Sequence, residues 1–458
     1  MVRIFSVYYP VRSLVLMLGE AAVVCASFLL AALIRLGPDS YIVLNYENGL
    51  YKILGITAFT VLFSYYFDLY APQRLPSKSE VYLRIVLVVG VLSFGLAAVS
   101  YVFPGFAIGV DCYLLGLILL VFNLLIWRAI YGWMVQLPML RERVYVLGAG
   151  ERATQLVEAL RARSDWGMEV VGWAGAIGNG NLTREELAKS LQSFVGKQQV
   201  ERIIVAMNDR RGKMPVRELL DVRVSGIKVE DANTLLEKIN GRIEIDDLYP
   251  SFLIFSEGFR LSDTVLLARR LVSITVSFTA LLLCLPLIPF IALAVKLSSP
   301  GPVLFKQERV GLKGSVFTVV KFRTMRQDAE AKTGAVWAGK NDPRVTAVGR
   351  FLRKSRLDEV PQLWNVLKGD MGFVGPRPER PEFVQWLSES IPYYNLRHLI
   401  RPGLTGWAQV RYQYGASLEE AKQKLQYDLY YIKHMSLSLD LLIMFETIKT
   451  IILRRGAQ

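Results

Sequence analysis

Two neighbouring acids, Asp358 and Glu359, lie in a stretch rich in arginine, RFLRKSRLDEVPQLWNVLKGDMGFVGPRPERPEF. Arg353, Arg356 and Arg377 flank them in the sequence. One carboxylate can attack phosphorus, a second can hold a divalent cation, and guanidinium groups can bind phosphate oxygens. The pattern indicates chemistry on a phosphate ester. The structural alternative is a pair of acids favoured by the dipole at the start of a helix.

The spacing around the acids predicts a helix N-terminus. Ser355 and Asp358 match the S-x-x-[DE] capping pattern, and Pro361 suits a first helical turn. Successive helical residues point about 100° apart, so we expect one acid to face the substrate and the other a metal. The chain has only two histidines, which favours a metal with oxygen ligands, Mg²⁺ or Mn²⁺.

The composition of the whole chain is that of a membrane protein. Hydrophobic residues make up 52% of its 458 residues, and its formal net charge is +14. The basic excess favours contact with anionic lipid headgroups or a phosphate-bearing substrate. The sequence contains no nucleic-acid-binding motif, so nucleic acid is not an expected partner. The three cysteines lack the paired spacing of a disulfide framework or a zinc site.

Four apolar runs, each near the ~20 residues that span a bilayer, predict four N-terminal transmembrane helices. They cover residues 13–36, 50–69, 83–103 and 110–135. Basic residues precede the first run and occupy the second loop, so the positive-inside rule places the N-terminus and everything after residue 135 in the cytoplasm. Glu20 in the first helix is either a functional acid or one that faces a neighbouring helix or the interface.

A soluble α/β segment follows the four helices. The strand VYVLG leads through Gly148 and Gly150 into a helical pattern, and further strands are predicted at EVVGWAGA and RIIVAM. The G-x-G-x-x-A turn makes Gly148 and Gly150 a candidate nucleotide-binding turn of a Rossmann-like fold. The second strand lacks the acid that binds a ribose hydroxyl, so a structural or regulatory module is favoured over dinucleotide binding.

A fifth apolar run has basic residues at both ends. Arg269 and Arg270 precede it and Lys296 follows it, which favours both ends on the same side of the membrane. Pro286 and Pro289 interrupt the helix near its middle. We expect a re-entrant helix hairpin bent at these prolines. A kinked transmembrane helix is the alternative, because neighbouring helices tolerate proline within a span.

Further motifs follow this run, including KQERVG, VVKFRTM, the dyad sequence, GPRPERPEF and RPGLTG. In combination they resemble the bacterial polyprenyl-phosphate sugar-1-phosphate transferases, the monotopic phosphoglycosyl transferases, in their large form. The resemblance implies three domains. Residues 1–140 are four transmembrane helices, 141–262 a Rossmann-like, CoA-binding-like module, and 263–458 a re-entrant helix with a small α-rich catalytic domain at the membrane surface.

The resemblance also implies roles for individual residues. Asp358 is the nucleophile, Glu359 holds magnesium, and Arg353 and Arg377 bind substrate phosphate, although lipid-headgroup contact is an alternative for both arginines. Other phosphate-binding motif positions are Lys321, Arg309 and Arg401. The implied partners are a UDP-sugar, undecaprenyl phosphate and inner-membrane lipids, and a homodimer is allowed. The family bend usually carries Ser-Pro, whereas this chain has Leu285 before Pro286.

The expected function is transfer of a hexose 1-phosphate from a UDP-sugar to undecaprenyl phosphate at the cytoplasmic face of a bacterial inner membrane. The resemblance implies an aspartyl phosphosugar intermediate, release of UMP, and initiation of exopolysaccharide, capsule or O-antigen assembly. One alternative is a membrane-anchored nucleotide-sugar dehydratase or epimerase, which needs a further NAD-binding glycine fingerprint that the sequence after Val320 lacks. The other is a non-enzymatic membrane sensor of nucleotides.

Two aromatic-rich stretches lie near the C-terminus, IPYYNLRHLI and YDLYYIKHMSLSLDLLIMFETIKTIIL. Their pattern suits amphipathic helices at the lipid headgroups as well as core packing. Their tyrosine and lysine content favours the membrane interface slightly.

Overall fold

The computed structural model describes residues 1–71, 77–106, 110–176, 182–197, 199–207, 212–246, 262–327, 342–412 and 417–453, with single positions between 248 and 259. Arg74, one of the basic residues predicted in the second loop, lies outside the described residues. The chain forms two compact units. The first contains Met1–Val2 and Tyr8–Ala232, and the second contains Arg3–Val7 and Asn233–Gln458.

Apolar helices make up the first half of the first unit. After the short strands β1 (Val2–Ile4) and β2 (Val7–Tyr9) come α1 (Val11–Leu36), α2 (Ser40–Asn45), α3 (Gly49–Tyr66), α4 (Lys78–Val102) and α5 (Val110–Gln136). Their buried core includes Val24, Phe28, Ile53, Leu92 and Leu120. A helix satisfies its own backbone hydrogen bonds, which suits sequences this apolar.

Four helical segments of the described residues are long and apolar enough to cross a membrane. They are Val11–Asn45, Ser79–Val102, Asp111–Gln136 and Asp263–Ser298. The chain is therefore a helical membrane protein. All four N-terminal runs predicted from the sequence form helices, but α3 is not among these four segments. It has 18 residues, about 27 Å of helix, and it carries Lys52.

Glu20 on α1 has a basic partner on a neighbouring helix. Its Oε1 lies 2.5 Å from Nη2 of Arg128 on α5, and both side chains are largely buried. Arg128 also donates to the carbonyl of Leu69, at a distance of 3.0 Å. A buried charge in apolar surroundings requires such a partner. This geometry agrees with the interpretation in which Glu20 faces a neighbouring helix.

The second half of the first unit contains a four-stranded parallel sheet. Its strands lie in the order β4 (Met168–Trp173), β3 (Glu142–Leu147), β5 (Arg202–Val205) and β6 (Lys228–Asp231). The helices α6 (Glu151–Ala162), α7 (Arg184–Lys197) and α8 (Val216–Val224) alternate with these strands in the chain. The sequence predicted the strands β3, β4 and β5. The strand β6 was missed because its sequence, KVED, is mostly polar.

The predicted glycine turn joins β3 to α6 in the first unit. A Cβ at Gly148 would lie 2.2 Å from the carbonyl oxygen of Ala206, so the turn accepts only glycine there. Gly150 has a φ of 91° and directly precedes α6. Its left-handed backbone also favours glycine. The turn thus forms as a strand, glycine turn and helix.

After Arg3–Val7, the second unit continues from Asn233, within α9 (Ala232–Asn240), and is built mainly of short elements. In chain order these are α10 (Asp263–Cys284), α11 (Ile288–Ser298), β7 (Leu304–Val310), β8 (Val316–Phe322), α12 (Ala347–Ser355), α13 (Gln362–Lys368), β9 (Gly372–Val374), α14 (Pro381–Ser390), β10 (Gly403–Thr405), α15 (Trp407–Arg411), α16 (Leu418–Lys433) and α17 (Leu437–Ile452). The strands β7 and β8 pair antiparallel, and β9 and β10 pair parallel.

The predicted interruption of the fifth apolar run is present. A 3₁₀ turn at Leu285–Leu287 separates α10 from α11 and contains Pro286, and Pro289 lies in the first turn of α11. At the start of α10, Arg270 donates to the carbonyl oxygens of Val366 and Leu367, at 2.5 and 2.8 Å. The start of this helical segment is therefore attached to α13.

The end of the same segment is attached to the second unit as well. Arg323 donates to the carbonyl oxygens of Ser299 and Pro300, each at 2.7 Å. Ile291 and Val295 of α11 are buried in a cluster shared with side chains of β8, α12 and α13. Both ends of the apolar segment thus pack on one unit.

The aromatic stretches near the C-terminus form part of the core of the second unit. Tyr394, Tyr430 and Tyr431 are almost fully buried. The slight preference for the membrane interface was therefore wrong for these side chains. The N-terminal residues contribute to the same region, because the hydroxyls of Ser6 and Ser436 lie 2.8 Å apart and Tyr430 donates to the carbonyl of Ser6 at 3.2 Å.

Candidate active site

The two acids lie in a 3₁₀ turn, Leu357–Glu359, that directly precedes α13. Arg356 ends α12 in the left-handed conformation, with a φ of 58°, and so turns the chain before the acids. The predicted cap at Ser355 is wrong. Ser355 is the last residue of α12, and its hydroxyl donates to the carbonyl of Phe351 at 2.9 Å. The acids nevertheless precede a helix, as the sequence predicted.

Glu359 is surrounded by cations. Its Oε1 lies 2.6 Å from Nη2 of Arg377, 3.4 Å from Nζ of Lys321 and 3.9 Å from Nη1 of Arg356. Burial of Glu359 disfavours its ionised form, but the charges of Arg377, Lys321 and Arg356 outweigh burial and lower the pKa of this carboxyl. Glu359 therefore carries a negative charge that its neighbours neutralise.

Asp358 has a different environment from its neighbour. Its side chain is buried, and among the described residues its Oδ1 has no hydrogen-bond partner. Burial, and next the negative charge of Glu359, raise the pKa of Asp358 above its ordinary value. A buried polar atom that lacks a partner is uncommon in folded proteins and marks a candidate functional site.

Lys321 and Arg353 approach the dyad from two different elements. Lys321 lies on β8, opposite Phe305 of β7, and burial lowers its pKa to about 8. Arg353 lies in the last turn of α12, where its Nε donates to Oγ1 of Thr324 at 3.0 Å. Arg353 and Asp358 are electrostatic neighbours of opposite sign. Strand β8 and helix α12 thus position two cations for the acids.

Arg309 and Arg401 are two further predicted phosphate ligands, and Arg309 is an electrostatic neighbour of Lys321. Arg309 donates from Nη1 to the carbonyl of Pro378 at 3.1 Å and lies 3.6 Å from Glu379, so it anchors the segment that follows Arg377. Arg401 is exposed and is an electrostatic neighbour of Arg270, at the start of α10. Lys321, Arg353 and Arg377 are thus the predicted cations with direct contacts or electrostatic coupling to the dyad, and Arg309 is coupled to Lys321.

A buried ion pair behind the site was not predicted. Nη2 of Arg397 lies 2.9 Å from Oδ2 of Asp428 and donates to the carbonyl of Arg377 at 2.8 Å. Nη1 of Arg397 donates to the hydroxyl of Tyr394 at 2.6 Å. The ion pair of Arg397 and Asp428 therefore holds the backbone of Arg377, whose side chain contacts Glu359. The signal in the sequence is an arginine and an acid, each within an aromatic-rich stretch.

The two carboxylates are the residues of this site that would suit a magnesium ion shared with substrate phosphates. No cluster of three or more potential metal ligands occurs in the described part of the chain. Magnesium, however, is commonly held by one or two carboxylates together with substrate phosphates and water. The contacts of the three cations with Glu359 are to its Oε1, and Oδ1 of Asp358 lies in the same turn, so these two carboxylates are the candidate ligands.

Comparison with known proteins places this site in a family. The family described as bacterial sugar transferase matches residues 264–454, which include the dyad and every cation around it. The UDP-glucose:undecaprenyl-phosphate glucose-1-phosphate transferase of Escherichia coli (strain K12) is 36% identical over 336 residues, covering 69% of this chain and 69% of that protein. The chain belongs to the bacterial sugar transferase family.

Two further relatives of this bacterial sugar transferase match over a smaller share of their own length than the Escherichia coli protein does. The UDP-N-acetylgalactosamine-undecaprenyl-phosphate N-acetylgalactosaminephosphotransferase of Aeromonas hydrophila is 42% identical over 53% of this chain and 56% of its own length. The undecaprenyl-phosphate glucose phosphotransferase of Komagataeibacter xylinus is 34% identical over 69% of this chain and 60% of its own length. The chain thus covers less than two thirds of these two relatives.

Proposed function

We propose that this protein transfers a sugar 1-phosphate from a UDP-sugar to undecaprenyl phosphate and so initiates the assembly of a bacterial exopolysaccharide, capsule or O-antigen. The observation that carries the proposal is the buried Oδ1 of Asp358 next to a carboxylate neutralised by three cations. The names of two relatives combine undecaprenyl phosphate with UDP-glucose or UDP-N-acetylgalactosamine, which supports these substrate classes.

The proposed reaction has two displacements at one phosphorus atom. A carboxylate oxygen of Asp358 attacks the phosphorus that carries the sugar, and the bond from this phosphorus to the UMP oxygen breaks. An oxygen of undecaprenyl phosphate then attacks the same phosphorus and releases the Asp358 carboxylate. The raised pKa of Asp358 reflects a carboxylate poorly stabilised by its surroundings, which favours its action as a nucleophile.

The surrounding cations make the approach of two anions feasible. Lys321, Arg353 and Arg377 lie around the dyad and would offset the charge of the diphosphate as the carboxylate approaches it. Magnesium, held by Glu359 together with the diphosphate, would supply further charge neutralisation when bound. In this proposal Arg309 acts indirectly by fixing the segment after Arg377, and Arg401 binds phosphate nearer the start of α10.

We also propose that Asp263–Ser298 is a re-entrant hairpin. Arg269 and Arg270, near its start, bind backbone carbonyls of the second unit, and the carbonyls of Ser299 and Pro300, just after its end, are bound by Arg323 of that unit. If the unit lies on one side of the membrane, the segment must cross the bilayer an even number of times. The break around Pro286 supports a bend there.

The same reasoning supports a cytoplasmic site at the inner membrane. Residues Arg3–Val7 belong to the unit that contains the dyad, so the N-terminus and the site lie on one side. The proposal takes α3 as a short crossing, as the sequence predicts, so that α1, α3, α4 and α5 together return the chain to that side. The positive-inside rule assigns this side to the cytoplasm. We keep the domains 1–140, 141–262 and 263–458 as part of this proposal. The parallel sheet and its glycine turn support a Rossmann-like central module.

The proposal predicts that Asp358→Asn abolishes UMP release. The purified full chain in nanodiscs would be given magnesium and, in parallel, UDP-glucose, UDP-galactose and UDP-N-acetylgalactosamine, with and without undecaprenyl phosphate. The variant should release no UMP in either condition. Glu382→Gln, which removes an exposed carboxylate on α14, serves as the matched control and should retain activity. Undiminished UMP release by Asp358→Asn would contradict the assigned nucleophile and favour the sensor alternative.

A further inference from the structure

A cavity of about 530 Å³ lies within the first unit, where apolar helices meet the parallel sheet. Its walls come from the first turn of α1, the last turns of α5, the end of α6 and the start of β4. Gly132 of α5 lines the cavity, and a Cβ added there would meet no other atom within 4 Å. The space is therefore open beside the helix. The dyad belongs to the other unit, and no residue of the dyad or of the cations around it lines this cavity.

The lining of the cavity is positively charged. Three of its residues are the arginines Arg12, Arg141 and Arg161, and Glu169 is its one acid. Nη1 of Arg141 lies 3.7 Å from Oε2 of Glu169, a long contact between two side chains that are both more than one third exposed. Such an exposed pair is weak, because water screens it. Asp165 is an electrostatic neighbour of Arg12, but it is paired with Arg163 and does not line the cavity. The lining itself therefore has a net positive charge that a ligand can meet.

One of these arginines is held firmly in place. Nη2 of Arg12 donates to the carbonyl of Leu140 at 2.8 Å. On its other side Arg12 packs against Gly167, where an added Cβ would lie 2.7 Å from Nε of the arginine. A cation fixed at the wall loses little further entropy when a ligand binds. The cavity therefore has a preorganised cationic group.

The position of the cavity indicates the chemistry of its ligand. It lies at the start of one candidate membrane span, Val11–Asn45, and at the end of another, Asp111–Gln136. The neighbouring side chains of Trp133, Met139 and Leu140 are exposed and apolar, as is typical of residues at the level of lipid headgroups. Guanidinium groups at that level bind phosphate through charge-assisted hydrogen bonds. We propose that this cavity binds a phosphate group, supplied by an anionic lipid headgroup or by a soluble phosphate ester.

The proposal can be tested with the full chain in nanodiscs that contain phosphatidylcholine and phosphatidylglycerol. Native mass spectrometry would measure which lipid the protein retains. Each arginine near an anionic lipid contributes about 1 kcal/mol, a factor of about five in binding. We therefore expect a loss of phosphatidylglycerol preference of about fivefold for Arg161→Gln and about 25-fold for the double variant with Arg141→Gln. The double variant Arg217→Gln and Arg223→Gln removes two exposed arginines of α8 and should retain the preference.

A second variant separates lost binding from lost folding. Glu169→Gln removes the acid from the lining and should raise the preference for phosphatidylglycerol, a gain that misfolding would not produce. In pure phosphatidylcholine nanodiscs, glycerol 3-phosphate binding that depends on Arg141 and Arg161 would identify a soluble ester as the source of the phosphate. If neither the lipid preference nor glycerol 3-phosphate binding responds to these substitutions, the proposal is wrong.

Discussion

Asp358 and Glu359 are covalent neighbours with opposite electrostatic surroundings. Arg377, Lys321 and Arg356 all point at Oε1 of Glu359, whereas Oδ1 of Asp358 is buried and has no hydrogen-bond partner among the described residues. The cations lower the pKa of Glu359 against the effect of its burial, while burial and the charge of Glu359 raise the pKa of Asp358. The charge of Glu359 is therefore neutralised by its neighbours. The ionised carboxylate of Asp358 lacks such neutralisation at Oδ1 and can react with a substrate.

The contact between Arg377 and Glu359 predicts a large effect of a small substitution. Arg377→Lys retains the positive charge but loses the planar guanidinium that reaches Oε1 of Glu359 at 2.6 Å. We expect a decrease of about 100-fold in kcat/KM for UMP release, the size typical of one lost donor at a charged reaction centre. Arg380→Lys, in the same segment but paired with the exposed Glu382, should change the rate little. Equal effects of the two substitutions would contradict the assignment.

The contact of Lys321 with the dyad predicts the direction in which the pH profile of kcat/KM shifts when Lys321 is replaced. The reaction requires the ionised form of Asp358, so activity should fall when the pH drops through the raised pKa of Asp358, above the ordinary carboxyl value of about 4. The charge of Lys321 lowers that pKa. Lys321→Met removes this charge and should move the acidic limb of the kcat/KM profile to higher pH. A limb that stays in place, whatever the absolute rate, would show that Asp358 is not the titrating group.

Among the elements of the second unit, α16 contributes Asp428 to the site. Asp428 pairs with Arg397, which donates to the backbone carbonyl of Arg377. Asp428→Leu would leave Arg397 buried without the oxygen that accepts from it, and removing one partner of a buried pair costs about 3–5 kcal/mol. We expect a matching decrease in the free energy of unfolding, measured by urea denaturation in detergent, together with lower activity. Asp246→Asn breaks the exposed contact with Lys422 and should cost at most about 1 kcal/mol.

The same buried pair predicts a pH dependence of stability. Burial raises the pKa of Asp428 to about 6, and the charge of Arg397 only partly offsets that effect. A carboxyl whose pKa is higher in the folded than in the unfolded chain favours the folded state most when it is protonated. The Asp428 contribution should therefore decrease as the pH rises from about 4 to about 6. In Asp428→Asn this part of the pH dependence should vanish, and its persistence would assign it to another group.

The elements differ in how much of them the sequence could predict. Long apolar runs located α1, α4 and α5, because hydrophobicity is a property of the segment itself. The strand β6 and the pair of Arg397 and Asp428 escaped prediction, because they depend on packing between distant residues. The Ser355 cap was wrong because Arg356 adopts a left-handed conformation that ends α12 before the acids.

The sequence predicted which residue types form the candidate site, but it did not predict how they contact one another. The adjacent acids and the local arginines are visible in the sequence, and the structure places Arg377 and Arg356 beside Glu359. Lys321 comes from a strand 38 positions earlier, and its approach to Glu359 depends on how β8 packs. The contact of Arg309 also depends on packing, because its guanidinium donates to the carbonyl of Pro378, in the segment after Arg377.

For the whole molecule, the re-entrant hairpin predicts which surfaces a membrane-impermeant thiol reagent can reach. After replacement of the three natural cysteines by serine, single cysteines would be introduced at Ser262, Lys306 and Glu47, all exposed positions. Ser262→Cys and Lys306→Cys should react only from the cytoplasmic side, because they flank the hairpin. Glu47→Cys, after one crossing, should react only from the opposite side.

The labelling experiment distinguishes the two interpretations of the fifth apolar run. A single kinked span would place Ser262 and Lys306 on opposite sides of the membrane. Labelling of Lys306→Cys from outside, with Ser262→Cys protected there, would therefore contradict the hairpin. Labelling of Glu47→Cys from the cytoplasmic side would instead contradict the predicted crossing of α1.

The attachment of residues 3–7 to the second unit has a consequence for biosynthesis. Ser6 contacts Ser436, a residue 430 positions later in the chain. At about 5–20 residues per second, the ribosome needs on the order of 20–90 s to make that stretch. Residues 3–7 must therefore stay accessible, on the side where translation takes place, until Ser436 has been made. The second unit can reach its final form only after both of these distant segments have been made, so the contact between Ser6 and Ser436 forms late relative to the synthesis of Ser6.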